Sequence, residues 1–125
     1  RIPIYDLRFW VGVSDKPVEL RNKFDWAFGK RENAGEFSGT CEYHRSKFAA
    51  LFDAYDLSHE LIAHEIFHIT HRMLEFCGEN IHPNHHEPHA YLNGYLTQLV
   101  YTDIAKFKWP IRLKMRTTPR KFIKP

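Results

Sequence analysis

The chain has 125 residues, 43% of them hydrophobic and 15% aromatic, which suits one globular domain with one modest core. No apolar run approaches the ~18 residues of a membrane span, the Arg1-Ile-Pro-Ile-Tyr5 start lacks a signal-peptide pattern, and two cysteines, Cys41 and Cys77, are too few for a disulfide framework, so a cytoplasmic protein with reduced thiols is expected. The net charge of +3 combines a mildly acidic body, with 10 Lys and Arg against 15 Asp and Glu over residues 1–105, and a basic tail, with 8 Lys and Arg and no acid over residues 106–125.

Tyr5, Leu7, Phe9, Val11 and Val13 alternate with Asp6, Arg8, Trp10 and Gly12, the period of a half-buried strand. Ser14-Asp15 then offers a helix N-cap with Pro17 in the first turn. Leu20, Phe24 and Phe28 recur every fourth residue, so a short amphipathic helix ending near Gly29 follows. Residues 30–36 read as a loop. Phe37, Gly39, Cys41 and Tyr43 alternate as a second strand, His44 to Lys47 turns the chain, and Phe48 to Phe52 supplies a third strand, making a hairpin. Asp56 or Ser58 can cap a long helix that runs through Leu61, Ile62, His64, Glu65, His68, Met73 and Phe76 and stops at Gly78. After a His- and Asn-containing loop over 79–86, a second long helix begins near Glu87-Pro88. Its apolar face is read as Ala90, Tyr91, Tyr95, Leu99 and Ile104, to about Phe107.

Histidine is concentrated: of nine, all but His44 fall from His59 to His89. Among them His64-Glu65-Ile66-Phe67-His68 forms the pattern H-E-x-x-H inside the first long helix. Residues four apart share a helix face, so both imidazoles can meet one ion. Glu65 lies about 100° around the helix and can reach a metal-bound water without being a ligand. Neutral imidazole and carboxylate suit zinc. Eighteen residues separate His68 from Glu87, an acid at the start of the second long helix and a suitable third ligand. His86 and His89 compete for that role, and an acid in a first helical turn also has a purely electrostatic reason to be there.

The combination resembles the gluzincins, zincin metallopeptidases in which H-E-x-x-H is followed after about eighteen residues by a helical Glu. The opening Pro3-Ile4-Tyr5-Asp6 and the stretch Glu87-Pro-His-Ala-Tyr-Leu-Asn-Gly-Tyr95 are also similar to small HExxH proteins of phages and prophages, over most of residues 2–105. Matched by position, the resemblance implies His64 and His68 as zinc ligands, Glu87 as the third ligand and Glu65 as general base. These 125 residues do not include the large C-terminal subdomain that completes a thermolysin-like cleft. In such a site an open fourth position holds water, Glu65 takes its proton and delivers it to a leaving nitrogen, and a second electrophile steadies the oxyanion. Tyr91 shares the helical face of Glu87 and is a candidate for that electrophile, among alternatives between which the sequence does not choose. Tyr95, His82, His85, His86 and His89 are alternatives.

The expected architecture is α+β: a minimal zincin-like domain over residues 1–107, with about three strands on three helices and the metal between the last two, followed by a basic extension over 108–125. The expected function is zinc-dependent hydrolysis, most plainly of peptide bonds in a peptide or protein substrate. Its rival is a phage-type structural or interaction protein in which zinc ties the helices together with little turnover. The basic tail suits an anionic partner, nucleic acid or an acidic protein surface, and no membrane partner is expected. A phage origin implies the host cytoplasm or the virion. His71 shares the His64 face and reads as structural. His59 and Glu60 read as solvated, and Tyr91 and Tyr95 can equally be core aromatics with wet hydroxyls.

Overall fold

A computed structural model describes residues 6–30, 35–78 and 86–106. The proposed tail boundary, the basic segment 108–125, His82 and His85 lie outside the described residues. Within them the chain is α+β, with three strands and four helices in the order β1 (Arg8–Ser14), α1 (Pro17–Asn22), α2 (Asp25–Phe28), β2 (Gly39–His44), β3 (Lys47–Asp53), α3 (His59–Phe76) and α4 (Glu87–Lys106). No helix among the described residues is long and apolar enough to cross a membrane.

The sheet order is β1-β3-β2. β3 is central because it carries the apolar run: Phe48 to Phe52 are all buried. β1 runs parallel to it, with Arg8 opposite Lys47 and Ser14 opposite Asp53. β2 runs antiparallel across the tight turn at Arg45-Ser46, where Arg45 has φ 54, and places Cys41 opposite Ala50 and Tyr43 opposite Phe48.

β1 alternates as its sequence indicates. Leu7 and Val13 are buried in the main core, with Phe9 and Val11 packed against it. Its other face is not left to solvent, because α1 and α2 cover it. A Cβ added at Gly12 would lie 2.9 Å from Leu51 Cδ2 and 3.0 Å from Leu20 Cδ2, so only glycine admits α1 this close. The single helix expected over Leu20, Phe24 and Phe28 is divided in two at Lys23-Phe24, which makes the helix count four rather than three. The division sets the rings of Phe24, Trp26 and Phe28 around Trp10 at 5.7–6.4 Å. It also accompanies a buried Arg21, whose Nε donates to Glu42 Oε1 at 2.7 Å, Nη1 to Asp25 at 3.0 Å and Nη2 to the Gly29 carbonyl at 3.0 Å. The N-cap expected at Ser14 or Asp15 is Lys16, and Ser14 Oγ accepts from the Lys16 N–H at 3.0 Å. Ser14 still belongs to β1, so the helix cannot begin there.

The opposite face of the sheet carries α3 and α4. Ser58, extended, caps α3 by accepting from the Leu61 N–H at 3.0 Å, and Gly78 at φ 81 follows its end. α3 lies on β2 and β3, burying Leu61, Ile62, Ile66, Ile69, Met73 and Leu74, while α4 packs on α3 and β1. The buried face of α4 is Leu92, Leu96, Val100 and Ile104, not the Ala90, Tyr91, Tyr95 stripe expected from the sequence. Both series repeat every fourth residue. The aliphatic one wins because it buries no hydroxyl, whereas a buried tyrosine needs a partner for its own. Tyr91 and Tyr95 are therefore 76% and 42% exposed. His59 Nδ1 to Tyr101 Oη, at 2.6 Å, fastens the helix pair, so His59 is not merely solvated, while Thr70 Oγ1 donates within α3 to the Ile66 carbonyl at 2.8 Å and lies 3.3 Å from Asn93 Oδ1.

Candidate metal centre

Helical spacing sets His64 and His68 one turn apart on the outward side of α3, both exposed. Their rings are 4.7 Å apart at 74°, and their Nε2 atoms converge to 3.2 Å. Two nitrogens bound to one tetrahedral zinc at about 2.0–2.1 Å stand about 3.3 Å apart. The pair is thus spaced as two ligands of one ion, a spacing at which one nitrogen can also donate to the other. Partial burial and the neighbouring His64 hold His68 below the usual histidine range, with smaller contributions from Arg72 and His71. The neutral imidazole this favours is the form that binds metal.

Glu65 turns the other way. Its side chain is only 7% exposed, against 59% for His64, yet Glu65 Oε1 lies 4.0 Å from His64 Nε2. It occupies a notch in β2: a Cβ added at Gly39 would meet Glu65 Cγ at 3.2 Å and Leu61 Cδ1 at 3.0 Å. The next inward residue of β2 is Cys41. Burial, then the charges of Glu65 and Glu42, push its thiol up to about 12. Neither cysteine forms a disulfide among the described residues, and Cys77 is exposed. The third inward residue is Tyr43, whose ring stands 4.8 Å from the Arg72 guanidinium.

The α4 candidates are placed less tightly. Glu87 begins α4 and is exposed, as is His86. His89 rests on α3, its ring 5.8 Å from that of Phe67, and its Nδ1 is buried without a hydrogen-bond partner among the described residues. Burial first, then the nearby His71, lowers its pKa. His71 itself pairs along α3 with Glu75 at 3.7 Å. Among the described residues no three His, Cys, Asp or Glu side chains lie close enough together to hold a metal. The structure thus brings together His64, His68 and Glu65. It leaves Glu87 and Tyr91 exposed on one stripe of α4.

Sequence reasoning did not find Gly39, Tyr43 or Arg72 as neighbours of the motif. The alternation of β2 and the i, i+4, i+8 series His64, His68, Arg72 were visible, but not which strand α3 would cross. Comparisons with protein-family models, with curated proteins and with solved structures give no match for this chain.

Proposed function

We propose that this chain is a zincin-type zinc hydrolase acting on peptide bonds. In this proposal His64, His68 and Glu87 hold one zinc and Glu65 is the general base. The observation that carries the proposal is the convergence of two imidazole nitrogens at 3.2 Å with a buried carboxylate oxygen 4.0 Å from one of them. A purely structural site has no use for that carboxylate.

When bound, zinc supplies a Lewis acid that polarises a carbonyl and brings a water's pKa toward ~7. The chain's own residues do the rest. Glu65 Oε1 would take a proton from the attacking water and return it to the leaving nitrogen, and the absence of a side chain at Gly39 leaves room for Glu65 beside β2. Partial burial favours the neutral, ligating form of His68. β2 is an edge strand beside Glu65, and among the described residues β3 is its one strand partner. Strand addition there is how an extended peptide gains backbone hydrogen bonds, which supports a peptide substrate. Glu87 and Tyr91 lie one turn apart on the same side of α4. Both are exposed, so Glu87 is the proposed third ligand and Tyr91 the proposed oxyanion donor from one side of the helix. His89, already on α3, is the competing ligand.

The test is zinc content and cleavage of a broad peptide library by wild type, Glu65→Gln, Glu87→Gln and His89→Gln. Glu65→Gln should keep its zinc and lose about 10²–10⁴-fold in turnover. Glu87→Gln should lose zinc affinity as well, and His89→Gln should not. Turnover that survives Glu65→Gln refutes the mechanism. Full zinc loading without cleavage favours the rival, a zinc-bearing interaction protein of the phage type.

A further inference from the structure

α3 presents His64, His68 and Arg72 as one stripe, each a turn beyond the last, and the stripe winds toward β2. Arg72 is seven residues from Glu65, two turns along the same face. The inward residues of β2 follow the same course: Gly39 meets Glu65, Cys41 feels the charges of both Glu65 and Arg72, and the Tyr43 ring stands 4.8 Å from the guanidinium. Glu65 and Arg72 therefore both face β2, with the candidate base at one end of the α3–β2 contact and a cation at the other.

The guanidinium is fixed but not used up. Tyr43 holds it from one side, and Nη1 donates to Glu75 Oε1 at 3.1 Å. Glu75 is its only hydrogen-bond partner among the described residues, and its side chain remains 40% exposed. An arginine has five N–H donors in a planar fork suited to a carboxylate, and at 40% exposure part of that fork is open to solvent. Seven residues of helix rise about 10 Å. An extended peptide covers that distance in about three residues.

We infer that Arg72 is a specificity-determining residue that recognises a peptide carboxylate about three residues from the bond held at Glu65. The inference rests on the proposed peptide-hydrolase function. It sets Arg72 apart from a plain structural clamp, which would fasten β2 to α3 through Tyr43 and Glu75 and be indifferent to ligand charge. Glu75 competes with the ligand for the same guanidinium, so its removal strengthens recognition.

The probe is a set of end-blocked, alanine-rich decapeptides carrying one Asp moved along the chain, each paired with its Asn counterpart. A second set has a free C-terminal carboxylate and no Asp, which separates a side chain from a chain terminus as the source of the anion. Binding is measured by fluorescence anisotropy on the full chain carrying Glu65→Gln, with zinc content and circular dichroism recorded on the same samples. The carboxylate peptides should bind about three- to tenfold more tightly than their neutral partners, the size of a half-exposed charge-assisted contact. Adding Arg72→Gln should abolish the difference, Arg72→Lys should keep part of it, and Glu75→Gln should enlarge it. If Arg72→Gln unfolds, Glu75→Gln decides alone. No carboxylate preference at any position, a preference that survives Arg72→Gln, or no peptide binding by a zinc-loaded chain overturns the inference. A wild-type chain that takes up no zinc defeats the hydrolase proposal itself, and the zinc measurement tells the two failures apart.

Discussion

Gly39→Ala tests whether Glu65 is held where the proposed chemistry needs it. The added methyl would stand 3.0 Å from Leu61 Cδ1, 3.2 Å from Leu61 Cγ and 3.2 Å from Glu65 Cγ. Ordinary carbon contacts begin near 3.5 Å, so both side chains must yield by roughly 0.3–0.5 Å. Leu61 is 2% exposed and packed into the core, which leaves Glu65 to move most. Overpacking of this kind costs about 1–3 kcal/mol, or a fall in Tm of several degrees for a domain of this size. A misplacement of about 1 Å at a reacting group can cost 10²-fold in rate, so a few tenths of an ångström should cost roughly tenfold. Zinc content should not change, because His64 and His68 lie on the outward side of α3. Gly35→Ala is the control, since nothing lies within 4 Å of a Cβ there. The measurements are thermal unfolding by circular dichroism, zinc content and peptide cleavage. A Gly39→Ala chain with wild-type Tm and turnover would refute the notch as the device that positions the proposed base.

Three further outcomes follow from the same geometry. Purified chain should carry about one zinc, and chelation or His68→Ala should lower Tm, because metal binding favours the folded state; unchanged unfolding after both treatments refutes the coupling. In metal-free protein His68 and His89 are both held below the ordinary histidine range by burial, so between their folded values and about pH 6.5 the unfolded chain binds more protons. Stability should therefore fall as pH drops below about 6.5, and the double variant His68→Gln, His89→Gln should flatten that slope in urea titrations at pH 5 and 7.5. Cys77 should react with a thiol reagent at pH 8 far faster than Cys41, whose thiol is pushed up to about 12 by burial and two carboxylates; equal rates in a mass-spectrometric time course contradict the burial of Cys41 against α3.

Much of the fold was legible in the chain because local patterns and tertiary burial agree. The alternation through Leu7, Val11 and Val13, the apolar run from Phe48 to Phe52, the Ser58 cap, the Gly78 stop and the Glu87 start all appear where the sequence puts them. The H-E-x-x-H pair was legible for the same reason: i, i+4 spacing on a helix is enough to bring two imidazoles together, and the nitrogens do converge. Where two patterns competed, periodicity alone had no means of choosing. Tyr91 and Tyr95 repeat as regularly as Leu92 and Leu96, and only the cost of burying hydroxyls against an aliphatic core turns the aliphatic series inward. The break between α1 and α2 is of the same kind, since helical propensity says nothing of an Arg21 that must reach Glu42 twenty-one residues away.

The sequence by itself determines the helical spacing of His64, Glu65 and His68 in α3, because that depends on contacts within four residues. Only the tertiary structure decides what stands opposite them. It is the β1-β3-β2 order that makes β2 an edge strand among the described residues, and the crossing of α3 over that edge that buries Glu65 in the Gly39 notch and sets Arg72 on Tyr43. Those partners lie more than twenty residues away in the chain. No local propensity encodes them, and they are selected by the packing of one buried helix face against one face of a sheet.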